Sequence, residues 1–143
     1  MPKRARFSTA TEAEAVFYGS IEAGDLDMLM QVWADDDGII CIHPGGERLA
    51  GREAIRRSWA AILGNAATIR FVLTDEQITG DDDLVVHNLK ENIELDNGSR
   101  GVMLATNIYR QVDGSWQLIM HHASLEPQQD EDEFVPPTSG TLH

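Results

Sequence analysis

The sequence predicts an α+β domain: a cone-shaped α+β barrel in which three N-terminal helices pack on a strongly curved, mostly antiparallel sheet with an internal pocket. Three observations predict it. Apolar residues recur at helical spacing through the first half of the chain. A short apolar strand, Gly38 to His43, sits between two of those helices. Four alternating runs then fill residues 66–125, and strands well beyond the usual ~5–6 residues force a sheet to curl.

Taken in order, Thr9 and Glu12 have capping-box spacing, and Ala13, Val16, Phe17, Ser20 and Ile21 form one face of the first helix. Gly24 ends that helix and Asp25 caps the next, which presents Leu26, Leu29, Met30 and Trp33. The strand to His43 is too short and too apolar for an edge, and residues 44–51 read as a loop. Arg52 to Leu63 forms the third helix, with Ile55, Trp59, Ile62 and Leu63 inward and Arg52, Arg56 and Arg57 on a solvated face. Residues 66–79, 84–96, 100–112 and 115–125 alternate as strands. Asn97-Gly98 and Asp113-Gly114 separate the last three, because both dipeptides tolerate the positive φ of tight turns. The domain therefore spans 9–125, between a flexible arm (1–8) and an acidic, disordered tail (126–143).

At 143 residues the chain has the length of one domain. A net charge of −13 repels nucleic acid and anionic membranes, since phosphate binding needs a basic footprint. No apolar run approaches the ~18 residues of a membrane span, and MPKRARFSTA lacks a secretory signal's apolar stretch, so a cytoplasmic location is expected. Cys41 is single and reads as a core thiol. The triplets at Asp35 and Asp81 lack the alternation of a calcium loop and read as turns. No phosphate loop, dinucleotide fingerprint or Ser-His-Asp pattern is present, so no cofactor is expected. The meander is apolar on both parities, Leu104, Ile108 and Val112 against Met103, Ala105 and Tyr109; a homodimer through the sheet would cover the second face.

His43 is the first site candidate. It closes an apolar strand and precedes Pro44-Gly45-Gly46, and an imidazole near its ordinary pKa works as acid or base at neutral pH. Trp33, Trp59 and Tyr109 are pocket wall or core. A metal site joining His43 to a terminal histidine lacks a third ligand, so none is expected.

The segments IEAGDLDMLMQVWADD, CIHPGG, GREAIRRSW and the closing HHAS, in this order, resemble the nuclear transport factor 2-like superfamily, with its SnoaL-like cyclases and ketosteroid isomerase. The resemblance spans about residues 9–125 and implies the cone fold. Against ketosteroid isomerase, His43-Pro44 falls where that enzyme has its Asp-Pro general base. Phe17 falls where it has the oxyanion-hole tyrosine, with Tyr18 one step off the helix face, and Asn107 where it has the protonated aspartate. These exchanges argue against steroid isomerisation but keep a pocket in which His43 and Asn107 face one another.

Adjacent His121 and His122 must point to opposite sides of their strand. A two-residue Asp113-Gly114 turn, and the His-x-Ser pattern of the kinase-association relatives, favour His122; gapping the meander against ketosteroid isomerase favours His121; a single bulge reverses the answer. The expectation leans to His122. The same ambiguity sets His87 and Glu91 against Asn88 and Lys90. Three functions fit: a cofactor-independent isomerase, dehydratase or cyclase with His43 shuttling a proton on a small carbonyl compound; a non-catalytic binder of a small organic ligand; or a dimerisation module.

Overall fold

A computed structural model of the chain describes residues 4–65 and 68–127. The elements run α1 (Ala10–Ala23), α2 (Leu26–Val32), β1 (Ile40–Ile42), β2 (Arg48–Ala50), α3 (Arg52–Gly64), β3 (Ile69–Gly80), β4 (Leu84–Leu95), β5 (Arg100–Val112) and β6 (Ser115–Leu125). One six-stranded sheet has the order β2-β1-β6-β5-β4-β3, antiparallel throughout except where β1 lies parallel to β6. This is the expected α+β arrangement of three helices on a curved, mostly antiparallel sheet.

Local chemistry sets the helix ends. Thr9 Oγ1 accepts the Glu12 N–H at 3.0 Å, while the Glu12 carboxylate reaches one residue past the N-cap and accepts the Ser8 N–H at 3.0 Å, a shifted form of the expected capping box. Gly24 takes φ +68°, and the Gly24 and Asp25 amides donate to Ile21 and Ser20 carbonyls, a turn that favours a residue without Cβ. The Asp25 carboxylate then accepts the Met28 N–H at 3.0 Å and starts α2.

Arg52 departs from its expected solvated place. Its guanidinium donates to the Met30, Trp33 and Ala34 carbonyls at 2.9, 3.1 and 3.0 Å and caps the end of α2, where orphan carbonyls need donors. The loop expected at 44–51 also contains β2, which pairs with β1 as a short hairpin; three residues between glycines carry no visible alternation.

Residues 4–8 are not a loose arm. Phe7 is buried, its N–H donates to Ser115 Oγ at 3.0 Å, and its carbonyl accepts the Trp116 N–H at 2.8 Å. One aromatic among basic residues was a weak signal, yet it fills the core beside the start of β6. The tail beyond residue 127 lies outside the described residues.

Two bulges aim the sheet's interior side chains. In β3, Asp75 and Glu76 together oppose Leu89, and Asp75 takes φ +53°. In β6, Ile119 is the extra residue: Tyr109 pairs with Leu118 but Ile108 with Met120. The inner face carries His87, Leu89, Glu91 and Ile93 from β4, Met103, Ala105, Asn107 and Tyr109 from β5, and Leu118, His121 and Ala123 from β6. The outer face is mixed, with half-buried Leu104, Ile108 and Met120 among Thr106, Lys90 and Asn92.

Candidate functional site

β1 runs into the protein's interior and delivers His43, 5% exposed, to the wall of a cavity between α3 and the sheet. The cavity is small, about 40 Å³, and is lined by His43, Trp59, Glu91 and His121 with apolar neighbours that include Ile62, Phe71 and Met103. That holds a water or two, far below the ~300 Å³ of a typical ligand pocket. Two wider surface grooves, about 660 and 650 Å³, are open and edged by ion pairs such as Arg110–Asp36 and Arg100–Glu94. They are larger but gather no buried acid or base, and the one buried hydroxyl in them, Ser115, is held by the Phe7 N–H.

The His43 ring packs edge-on against Trp59 with centroids 4.8 Å apart, and its Nε2 lies 3.0 Å from Ser58 Oγ. Ser58 already donates its hydroxyl hydrogen to the Ile55 carbonyl at 2.8 Å, so toward His43 it accepts, which places the imidazole proton on Nε2. Burial lowers the His43 pKa to about 4. The ring is therefore neutral at physiological pH. The neighbouring Cys41 thiol, pushed up to about 12 by burial, is inert.

Across the cavity, four side chains form one chain of hydrogen bonds. His121 Nδ1–H donates to Asn107 Oδ1 at 2.5 Å, Asn107 Nδ2 donates to the Tyr18 hydroxyl at 2.8 Å, and Tyr18 donates to Glu91 Oε2 at 2.6 Å. Every donor points toward Glu91, which fixes the histidine tautomer and the amide orientation. Burial lowers the His121 pKa to about 3, and the nearby His43 pushes the same way. The same burial raises Glu91 to about 7, the Tyr18 hydrogen bond opposing it. Tyr18 itself lies well above its usual value, from burial and then from the Glu91 charge.

The expected site residues therefore divide. His43, Trp59 and His121 line the cavity; Asn107 stands behind His121; Phe17, Trp33 and Tyr109 are fully buried in the surrounding core. His122 is exposed on the outer face, which overturns the leaning toward it. The turn is the expected two-residue one, with Val112 opposite Ser115, but the Ile119 bulge moves His121 opposite Asn107. His43 and Asn107 do not bond to one another: the first is held by Ser58, the second by Tyr18 and His121.

Tyr18 was expected off the helix face. It is 4% exposed, because the buried stripe of α1 keeps the expected Ala13, Phe17, Ser20 and Ile21 but widens to Ala10, Glu14 and Tyr18 on the side away from half-buried Val16. A phenol thus enters the site one residue after Phe17. Glu91 could have been found by parity, since Leu89, Ile93 and Leu95 mark its side of β4 as inner.

The SnoaL-like domain family matches residues 11–127. The chain belongs to that family. Its wider setting is the nuclear transport factor 2-like superfamily, in which its structural neighbours are described. This SnoaL-like domain is 34% identical to a solved structure from Thiobacillus denitrificans, given as a candidate calcium/calmodulin-dependent protein kinase type II association domain, with TM-score 0.81 over 85% of this chain and 98% of that one. It is 32% identical to a candidate dehydratase of the same superfamily from Streptomyces avermitilis, with TM-score 0.74 over 80% and 92% of the two chains. Among curated proteins it is 25% identical over 122 residues to F-box protein SKIP8 of Arabidopsis thaliana, covering 85% of this chain. The chain spans about half (50%) of that relative's length. No helix among the described residues is long and apolar enough to cross a membrane.

Proposed function

We propose that this SnoaL-like domain is a small-molecule pocket protein that moves a proton on a small carbonyl compound without a cofactor, in an isomerase, dehydratase or cyclase type of reaction. One observation carries the reading: Glu91, a buried carboxyl with a pKa near 7, forms part of the cavity wall and is held by the Tyr18 hydroxyl. A carboxyl tuned to the working pH gives and takes a proton with equal ease. His43, first expected to be the shuttle, is a much weaker base at pKa about 4 and serves as a neutral hydrogen-bonding wall. The buried Trp59 Nε1–H has the Cys41 sulfur as its acceptor and no oxygen or nitrogen among the described residues, a weak bond that a ligand oxygen replaces. The cavity of about 40 Å³ takes a compound of a few heavy atoms only as the half-buried Phe71 and Pro44 move aside and enlarge it. Similarity to a candidate dehydratase at 32% identity agrees with this class of chemistry.

The test is deuterium uptake in D₂O, followed by proton NMR, at the carbon next to the carbonyl in a panel of three- and four-carbon ketones, aldehydes and keto acids. Wild type accelerates exchange for at least one compound. Glu91→Gln lowers that rate by about 10²–10⁴-fold, the range for losing a general base, while His43→Gln loses far less. Absence of acceleration across the panel, or an unchanged rate in Glu91→Gln, overturns the reading.

A second reading, an assembly module that forms a homodimer through the sheet, draws on the outer-face Leu104, Ile108 and Met120 and on the 34% identity to a candidate association domain. Light scattering on wild type and Leu104→Glu tests it. A dimer that the charge splits supports it, and a wild-type monomer removes it.

A further inference from the structure

Away from the cavity lining, Glu14 on α1, Glu76 on β3 and His87 on β4 bring three donor atoms within 4.8 Å of one another. His87 Nδ1–H donates to the Glu14 carboxylate, and Glu76 Oε2 lies 3.5 Å from the same nitrogen. Glu14 and His87 are buried, whereas the Glu76 side chain keeps 30% of its surface in solvent. Among the described residues the ion pairs of both carboxylates are with His87 alone. The Glu14 and Glu76 carboxyls also hydrogen-bond to one another, so three mutually bonded metal-ligating side chains meet at one point beneath β3. Glu76 is there because of the β3 bulge, which sets Asp75 and Glu76 together against Leu89.

A fourth group points to what the cluster holds. Tyr109 is fully buried, packs its ring on His87 with centroids 4.9 Å apart, and lies within the fields of Glu14 and Glu76. Among the described residues its hydroxyl finds no hydrogen-bond partner. Buried hydroxyls are rarely left so, and an ion with a bound water beside the carboxylates supplies the missing partner.

We propose that Glu14, Glu76 and His87 bind one divalent transition-metal ion of the zinc or manganese class, with the Tyr109 hydroxyl hydrogen-bonded to a water on that ion. One imidazole nitrogen and two carboxylate oxygens suit such ions, whereas magnesium and calcium prefer all-oxygen shells. Metal–ligand bonds of about 2.0–2.2 Å set donor atoms roughly 3–4 Å apart, so a pair at the 4.8 Å limit closes by about 1–2 Å while Glu14 and His87 separate. His87 Nδ1 releases its proton as it ligates. The partly exposed Glu76, on the edge strand β3, gives the ion an entry from solvent. The site uses neither His43 nor the terminal histidines, which lack a third ligand between them.

The experiment uses the full chain after chelator treatment, titrated calorimetrically with zinc and manganese chlorides and with magnesium chloride as comparison. Elemental analysis gives the stoichiometry. One equivalent of zinc or manganese per chain, a raised melting temperature and no comparable response to magnesium are expected. Glu76→Gln and His87→Gln weaken binding at least 10-fold, while Asp82→Asn in the exposed acidic triplet leaves it unchanged. If His87→Gln does not fold, the partly exposed Glu76 position still decides the matter. Failure of wild type to bind stoichiometrically, or unaltered affinity in folded Glu76→Gln, overturns the site and leaves the cluster as a proton-sharing network.

Discussion

His121 Nδ1 and Asn107 Oδ1 lie 2.5 Å apart across the β5–β6 ladder, paired there only because Ile119 is bulged out of register. The adjacent His122 faces outward. One extra residue thus decides which of two neighbouring imidazoles belongs to the interior.

Substitution at the two positions should separate them. His121→Ala leaves Asn107 Oδ1 without its donor and opens a hole in the core, at a cost of about 2–4 kcal/mol. His122→Ala, at an exposed position, changes stability by less than about 0.5 kcal/mol. Urea denaturation of both variants measures the contrast. Equal losses would mean that the register is wrong.

The interior also predicts how stability depends on pH. Folded His43 and His121 have pKa values of about 4 and about 3, against 6.5 when unfolded. Their contribution is complete above pH 6.5 and is lost as the pH falls through about 4 and then 3. Glu91 acts in the opposite sense: its folded pKa of about 7 exceeds the 4.5 of the free group, so its contribution is complete below 4.5 and is lost as the pH rises through 7. Glu91→Gln removes that counterweight. On going from pH 7 to 5, the variant should lose stability relative to wild type by on the order of 1 kcal/mol per pH unit. Denaturation curves at pH 5, 6 and 7 check this; parallel profiles would show that Glu91 ionises normally.

Phe7→Ala tests the N-terminal segment. The ring is 3% exposed and its backbone is bonded to Ser115 and Trp116. A loss of about 3 kcal/mol is expected, as for other buried phenylalanines cut to alanine. A change under about 0.5 kcal/mol, the size usual for surface substitutions, would restore the loose arm.

The four long strands were legible to within three residues because alternation and the Asp113-Gly114 turn, with φ of +51° and +80°, state their ends locally. The capping of α1 was equally local. What the sequence hid is set by contacts far along the chain. Arg52 finds the end of α2 only in three dimensions, and β2 exists only because β1 is beside it. The helix stripe was misread because Glu14 and Tyr18 are polar residues that face inward, their cost met by His87, Glu91 and Asn107 from the sheet. A pattern that assigns polar groups to water misses a polar interior. The proposed chemistry depends on that interior.

The parallel pairing of β1 with β6 sets an order of events during synthesis. Residues 40–42 and their hairpin partner 48–50 cannot dock until the chain has been made through residue 122, and Phe7 waits equally for Ser115. The first third of the polypeptide must therefore leave the ribosome with its edge unprotected, and such distant pairings slow folding. A stop or truncation ahead of β6 would release a product that lacks both its last strand and a seat for its first.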